Sequence, residues 1–462
     1  MNCSFVALFL VFVSAQTLAQ KPTPAQLRWH DTEFYLFFHF GPNTFTNLEW
    51  GHGTEPEAIF NPNSLDCEQW CRVAKSAGAC GVVITAKHHD GFCLFPSKYS
   101  THTVRESPWK NGKGDVVAEL AAACRKYGLK LGLYLSPWDR NHPKYGTPEY
   151  NDVYVATLTE LLTRYGELFE IWWDGANGEG PNGKNQVYDF RRYEKTAAAL
   201  QPNAVIFSDV GPGCRWAGNE RGLIESDINW CLLDTAGFGR GATGPPTDTL
   251  NRGNENGKHW IPAECDVSIR PGWFYHPEED EKVKTPEQLF SIYLNSVGRG
   301  ANLILNVPPN RRGLISTNDS VSLTHFGEKL RAAFAHNLAF GKKVAYSSGA
   351  SEQKFSRKLC DAKRKSSVTL GGTGSHCTLD LGKMTTFNCV LLREHIAEGQ
   401  QIKQFKVEIW ENNLWREVAT GGTIGPRRIL ALPTLSAQLV RVTILSAKGP
   451  CALTELEVYQ MP

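Results

Sequence analysis

The 462-residue sequence lacks an excess of charge of either sign: 49 lysines and arginines against 47 aspartates and glutamates leave a formal net charge of +2. Composition therefore gives no reason to expect a nucleic acid or an anionic membrane as a partner. After the first twenty residues there is no run of 18 apolar residues, so we expect no membrane span in the mature chain. Regular CxxC spacing is also missing, which makes zinc a poor interpretation of the cysteines.

The N-terminal residues 1–19 carry no charge and are apolar from Phe5 to Val13. Such a stretch, followed by small residues, predicts a cleaved signal peptide and hence a secreted or lysosomal protein. Asn318 begins the one glycosylation acceptor of the remaining chain.

Thirteen cysteines also fit a secreted chain, and twelve of them follow the predicted signal peptide. The barrel region holds an even number and so does the C-terminal region, so we expect disulfides within each. Cys67 and Cys71 lie one helical turn apart, which allows a local pair.

Residues 20–340 alternate short apolar runs with amphipathic stretches, which predicts an α/β fold with parallel strands. Six or more such units over about 300 residues favour a (β/α)8-type barrel over an open sheet. The predicted strands are 34–38, 80–85, 129–135, 169–173, 204–208 and 301–305, and the clearest helices are 116–127 and 152–165.

Residues 341–462 are richer in Ser, Thr and Gly and lose the long helical periodicity. Short alternating runs at 377–381, 405–410 and 439–444 predict a C-terminal antiparallel β-sandwich.

Polar and aromatic residues that could bind a ligand or take part in catalysis follow the predicted strands. In a barrel the C-terminal ends of all strands open on one face, so these residues would lie together. Asp174 in the run Trp-Trp-Asp-Gly would be a partly desolvated carboxylate beside aromatic walls, suited to attack an anomeric carbon. The alternative is a carboxylate that only caps the next helix.

Glu220 lies in a loop shaped by glycine and proline, and such a carboxyl suits an acid that protonates a leaving oxygen. The alternative is a surface ion pair with Arg215 or Arg221, and Asp209 is a competing acid.

His39, His88 and His89 also follow predicted strands, and we expect them to bond ligand hydroxyls. Two adjacent histidines point in different directions, so a shared metal ion is geometrically poor. The remaining candidates for a sugar site, which combines flat apolar walls with a few polar groups, are Glu49, Trp50, Tyr134, Trp138, Trp172, Arg270 and Trp273.

Several of these motifs occur in an order that resembles glycoside hydrolase family 29, the α-L-fucosidases. The matching segments are Phe38-His39-Phe40-Gly41, Lys87-His88-His89-Asp90-Gly91-Phe92, Tyr134-Leu135-Ser136-Pro137-Trp138, Trp172-Trp173-Asp174-Gly175 and Arg215-Trp216-Ala217-Gly218-Asn219-Glu220, with Ser268 to His276 continuing the match.

The resemblance implies a retaining fucosidase without a metal or organic cofactor, acting on fucosylated oligosaccharides or glycoproteins. It makes Asp174 the nucleophile and Glu220 the acid/base of the subfamily that cleaves α-1,3 and α-1,4 fucose. The positions that match fucose contacts are His39, Glu49, Trp50, His88, His89, Tyr134 and Trp172, with Arg270 and Trp273 expected to line the pocket.

The same resemblance makes the C-terminal region similar to galactose-binding-like sandwiches. Asp209 and Glu264 are the acids to consider if Glu220 has another role. The competing hypotheses are a catalytically silent fucose-binding protein and a retaining glycosidase for another sugar.

Overall fold

The structure, a computed structural model, describes residues 20–234, 237, 244–347 and 353–462. The predicted signal peptide, residues 1–19, lies outside the described residues.

The N-terminal half is built on strands that alternate with helices. In chain order the strands are β1 Phe34–Phe38, β2 Gly81–Lys87, β3 Lys130–Leu135, β4 Glu170–Trp172, β5 Val205–Ser208, β6 Cys214–Trp216, β7 Leu232–Leu233, β8 His259–Trp260, β9 Ala263–Ser268 and β10 Asn302–Asn306. The helices are α1 Pro24–His30, α2 Pro42–Thr46, α3 Cys67–Ala77, α4 Val116–Tyr127, α5 Tyr150–Arg164, α6 Phe190–Leu200, α7 Thr247–Arg252, α8 Pro286–Asn295 and α9 Thr317–Ala333.

Eight of these strands close into a parallel barrel in the order β1, β2, β3, β4, β5, β6, β9, β10, which confirms the predicted fold class. The barrel departs from a regular repeat on one side. Residues 209–213 join β5 to β6 without a helix, and the β7–β8 hairpin and α7 are inserted between β6 and β9.

Local sequence explains where the barrel helices begin and end. The carboxylate of Asp115 accepts a hydrogen bond from Ala118 N, 2.8 Å away, and so caps the start of α4. Gly128 ends the same helix in the left-handed conformation, which glycine adopts without steric cost. Asp66 and Gly78 do the same for α3.

The C-terminal region forms the predicted antiparallel domain around a hydrophobic core of its own. Its strands are β11 Val344–Ser347, β12 Gln353–Ser356, β13 Val368–Leu370, β14 His376–Glu394, β15 Ile402–Glu411, β16 Leu414–Gly421, β17 Arg428–Ala447 and β18 Cys451–Tyr459. The long strands β14 and β17 carry irregularities in their pairing between Asp380 and Thr385 and between Phe387 and Cys389, where a strand can bend.

The two domains meet at the end of the barrel where β1 begins. Glu33 precedes β1 and faces three arginines of the C-terminal domain: Arg393 at 2.6 Å, Arg364 at 3.0 Å, and Arg427. A second ion pair between the domains, Lys21 with Glu398, is exposed.

The described cysteines, all twelve that follow the signal peptide, are free thiols, so the structure does not contain the expected disulfides. Cys67 and Cys71 do not pair with each other: the Cys71 Sγ instead lies 4.0 Å from the Cys124 Sγ. Most of the others are buried separately in the two cores, where they pack as small apolar side chains. Among the described residues, no helix has the length and apolar content to cross a bilayer.

Candidate active site

A cavity of about 240 Å³ opens at the C-terminal ends of the barrel strands. Nine of the eleven residues that the family resemblance assigns to the site line it. Its walls are Phe37, His39, Glu49, Trp50, His88, His89, Trp172, Asp174, Ala176, Glu220, Asp266 and Trp273. Strand-end residues far apart in sequence therefore do converge, as the barrel geometry requires.

Asp174, which follows β4, presents a carboxylate to this cavity with its side chain 29% exposed. The Tyr134 hydroxyl donates to Oδ2 at 3.2 Å, and the backbone N–H of Ala176 donates to Oδ1 at 2.8 Å. His89 Nε2 lies 3.7 Å from Oδ2. Both oxygens are thus held in place while the carboxylate stays accessible from the cavity.

Glu220 lies in the loop after β6, and its side chain is exposed at the cavity wall. The Trp273 indole Nε1 lies 3.3 Å from Oε2, within donating distance. The alternative ion pairs do not form: Arg221 pairs with Glu225, and the buried Arg215 donates to backbone carbonyls of the neighbouring loops. Glu220 is therefore available to a ligand.

The three histidines of the cavity are neutral groups. Burial lowers the pKa of His39 to about 3 and that of His89 to about 4, and it lowers the pKa of His88 well below its ordinary value. His39 Nδ1 bonds Asn306 Oδ1 at 2.8 Å and His89 Nδ1 bonds Ser136 Oγ at 2.7 Å. These neutral rings, held in fixed orientations, can form hydrogen bonds with the uncharged hydroxyl groups of a ligand.

Glu49 is a cavity residue whose carboxylate oxygens already accept hydrogen bonds from the protein. Backbone N–H groups of Trp273 and Phe274 donate to it at 2.9 and 3.2 Å, and His276 Nε2 lies 2.5 Å from Oε1. Glu49 thus holds the segment that carries Trp273. Trp50 next to it is 59% exposed and packs edge-on against Trp138, which gives the mouth an aromatic wall.

Two predicted contacts are placed differently. Tyr134 reaches the cavity through its hydroxyl bond to Asp174 and is not part of the wall. Arg270 is not at the cavity, contrary to expectation: its fully buried guanidinium pairs with Asp319 at 3.0 Å and Asp280 at 2.8 Å. The double pairing compensates the cost of burying its charge.

The two substitute acids are also placed outside the cavity wall. The carboxylate of Asp209 packs against Gly175, where a Cβ would lie 2.3 Å from Oδ2. Glu264 lies in the barrel interior, 2.8 Å from the Trp172 indole Nε1 that donates to it.

Asp266 is the titratable cavity residue that the sequence did not predict; Phe37 and Ala176 are the other two unpredicted wall residues. Asp266 lies on β9, two residues after Glu264, on the same face of the strand. Its side chain is 5% exposed, and Oδ1 accepts from the Trp216 indole at 2.8 Å. The spacing of Glu264 and Asp266 could have indicated this position, because inward-facing residues of a barrel strand are two residues apart.

Among the described residues, one group of possible metal ligands has donor atoms within 4.8 Å of one another: Glu170, Cys214 and Glu264. Burial and the neighbouring Glu264 raise the pKa of Glu170 well above its ordinary value, and Trp29 Nε1 donates to it at 3.0 Å. The two carboxyls already accept hydrogen bonds from the Trp29 and Trp172 indoles, and Glu170 holds a proton. The group is therefore a hydrogen-bonded support beneath Trp172, not a strongly charged cation site.

The family profile described as Alpha-L-fucosidase matches residues 13–333. The chain belongs to the α-L-fucosidase family. It is 41% identical to Alpha-L-fucosidase 1 of Arabidopsis thaliana, over 99% of this chain and 94% of the relative. The family assignment predicted from the ordered motifs is therefore confirmed, and the protein is an α-L-fucosidase, a glycoside hydrolase.

Solved structures of α-L-fucosidases agree with this fold. A glycoside hydrolase 29 family member from a rumen bacterium is 41% identical with a TM-score of 0.84, over 96% of this chain and 78% of that one. A Ruminococcus gnavus family 29 fucosidase in complex with fucose is 32% identical with a TM-score of 0.85, over 96% of this chain and 95% of that one.

Proposed function

We propose that the protein is a retaining exo-fucosidase that removes terminal α-1,3- or α-1,4-linked L-fucose from branched glycans. The observation that carries the proposal is that Asp174 and Glu220 line one small cavity with aromatic walls and neutral histidines. A cavity of about 240 Å³ is smaller than the roughly 300–1,000 Å³ of pockets for drug-sized ligands, which favours a single sugar ring at the end of a glycan.

In the first step Asp174 attacks C1 of fucose, the bond from C1 to the glycosidic oxygen breaks, and Glu220 gives its proton to that oxygen. The product of this step is a fucosyl ester on Asp174. The Tyr134 and Ala176 donors hold the carboxylate in place for the attack.

In the second step a water molecule gives a proton to Glu220 and attacks C1 as the ester bond to Asp174 breaks. Both displacements invert C1, so fucose leaves with its original α configuration. The Trp273 indole, 3.3 Å from Glu220 Oε2, is placed to orient the acid in both steps.

Time-resolved proton NMR with a Lewis-type oligosaccharide tests this mechanism. Wild type should release α-fucose first. Asp174→Ala should release no fucose, and with added azide it should form β-fucosyl azide, because azide attacks C1 in place of the missing carboxylate. Asp209→Asn is the control, since Asp209 lies beside Asp174 but outside the cavity wall and should retain turnover. Release of β-fucose first would exclude double displacement. Faster release from an α-1,2-linked substrate would exclude the proposed linkage preference, and fucose binding without release would favour the catalytically silent alternative.

We also propose that the chain enters the secretory pathway and is glycosylated on Asn318. The uncharged apolar segment at residues 5–13 and the exposure of Asn318 on the first turn of α9 support this. Expression in eukaryotic cells should give a product whose mass falls on N-glycanase treatment, and Asn318→Gln should remove that shift. A product retained in the cytosol at its unmodified full-length mass would contradict the proposal.

A further inference from the structure

Asp266 is a buried acid at the cavity for which the two-carboxylate mechanism has no role. It extends from β9 into the wall that also holds Glu220, and it is 5% exposed. A carboxyl this well shielded from water needs a cation or several donors to stay ionised.

The surroundings of Asp266 supply little of either. Among the described residues that line the cavity none is a lysine or arginine, and the three histidines are neutral. In the part of the chain that the structure describes, the Trp216 indole is the side-chain donor to the carboxyl and bonds Oδ1 at 2.8 Å, and the residue's own backbone N–H is a further donor. The titratable groups that face it are also acids, Glu220 from the loop after β6 and Glu264 on its own strand. Burial and these two carboxylates raise the pKa of Asp266 well above its ordinary value.

A protonated Asp266 has a defined hydrogen-bonding geometry. Oδ1 accepts from Trp216, so a proton on Oδ2 keeps that bond intact while Asp266 lines the cavity. A neutral carboxylic acid in a dry site is a strong donor to a hydroxyl oxygen.

We propose that Asp266 is a ligand-binding residue that keeps its proton and donates a hydrogen bond to a hydroxyl of the fucose ring held beside Glu220. This inference rests on the proposed function, because it takes fucose as the sugar in the cavity. Asp266 then acts as a protonated binding group, whereas Asp174 acts as a carboxylate nucleophile, and both residues line the same cavity.

Matched substitutions of nearly equal size separate a neutral donor from a charged carboxylate. Asp266→Asn keeps a neutral donor and an acceptor, whereas Asp266→Leu removes both. We expect the Kd for free L-fucose, measured by calorimetry, to stay near the wild-type value in Asp266→Asn. In Asp266→Leu it should rise about tenfold or more, since a buried partner loses its hydrogen bond.

The pH dependence of binding adds a readout that a purely structural role would not change. Asp266 donates only while protonated, so fucose binding to wild type should weaken as pH rises through the pKa of Asp266. Asp266→Asn should lack that alkaline loss. The comparison starts at about pH 5 and extends upward for as long as the protein stays folded; an ordinary histidine would titrate near the start of this range, but the three cavity histidines do not.

Three outcomes would overturn the assignment. Equal loss in Asp266→Asn and Asp266→Leu would mean that the ionised carboxylate is needed. Wild-type fucose affinity in Asp266→Leu would mean that the residue does not touch the sugar. The same alkaline loss in Asp266→Asn as in wild type would mean that another group titrates. Thermal denaturation of each variant checks folding, and Asp266→Ala replaces the leucine variant if that one does not fold.

A wild-type protein that binds no fucose would reject the proposed function instead. The asparagine and leucine variants would then be compared on the sugar that the wild type does bind, where the same difference between them decides the role of Asp266.

Discussion

Replacing Glu33 by glutamine should weaken the attachment of the C-terminal domain while leaving the active site untouched. Glu33 is 14% exposed and faces Arg364, Arg393 and Arg427, so glutamine keeps the shape but leaves three arginines without their shared anion. Burial alone would raise the pKa of Glu33, but the three arginines lower it from 4.5 to about 2. That difference corresponds to about 3 kcal/mol, at about 1.4 kcal/mol for each tenfold change in proton affinity.

We therefore expect Glu33→Gln to lower the free energy of unfolding by about 3 kcal/mol near neutral pH, measured by urea denaturation. The sign of the pH dependence follows from the lowered pKa. The stabilisation is fully present above pH 4.5, the ordinary value, and disappears as pH falls towards about 2, so wild type and variant should converge in acid. Fucosidase kcat should not change, because Glu33 precedes β1 at the barrel end opposite the cavity.

Glu398→Gln is the matched control. It also removes a carboxylate that pairs across the two domains, but this pair is exposed, and its loss should change the free energy of unfolding far less than the loss of the Glu33 carboxylate. Equal effects of the two substitutions, or a Glu33→Gln difference that grows in acid, would refute the reasoning.

Three further substitutions test the site. Gly175→Ala should reduce kcat with little change in unfolding midpoint. The new Cβ would lie 2.3 Å from Asp209 Oδ2, so the carboxylate and the backbone beside Asp174 must shift. Normal turnover would contradict this. Tyr134→Phe should lower kcat/KM about 10- to 100-fold through loss of the charge-assisted bond to Asp174, and a change in fucose release below threefold would be too small for that role. Arg270→Leu should cost about 3–5 kcal/mol in unfolding free energy and leave the fucose Kd of the folded protein unchanged, whereas a selective loss of affinity would restore Arg270 to the pocket.

The regular parts of the barrel could be predicted because local and tertiary preferences agree there. The predicted strand 34–38 and helix 116–127 coincide with β1 and α4. The first is an apolar run buried along its whole length, and the second has a capping aspartate and a terminal glycine. Strand β9 was missed because its sequence Ala-Glu-Cys-Asp-Val-Ser buries two acids in the barrel, which hydrophobic periodicity does not reveal.

Most polar residues of the site were predictable because they follow strands, whereas the buried acid Asp266 was missed within one. Asp174 and the histidines stand at strand ends, but Asp266 is inside β9. Arg270 was misassigned because its partner Asp319 lies 49 residues later, and such a pairing cannot be read from local sequence. The cysteine count likewise predicted a covalent framework, although the structure uses most of these residues as core packing.

The hydrogen-bonded carboxyls beneath Trp172 make the stability of the barrel depend on pH. The pKa of Glu170 is raised, so folding takes up a proton that an unfolded chain has already released above about pH 4.5. For each such proton, the free energy of unfolding falls by about 1.4 kcal/mol for every unit by which the pH rises, until the folded carboxyl also ionises. The contribution of Glu170 to the stability of the barrel is therefore largest in mildly acidic surroundings and falls as the pH rises, and this sensitive group lies directly beneath the sugar pocket.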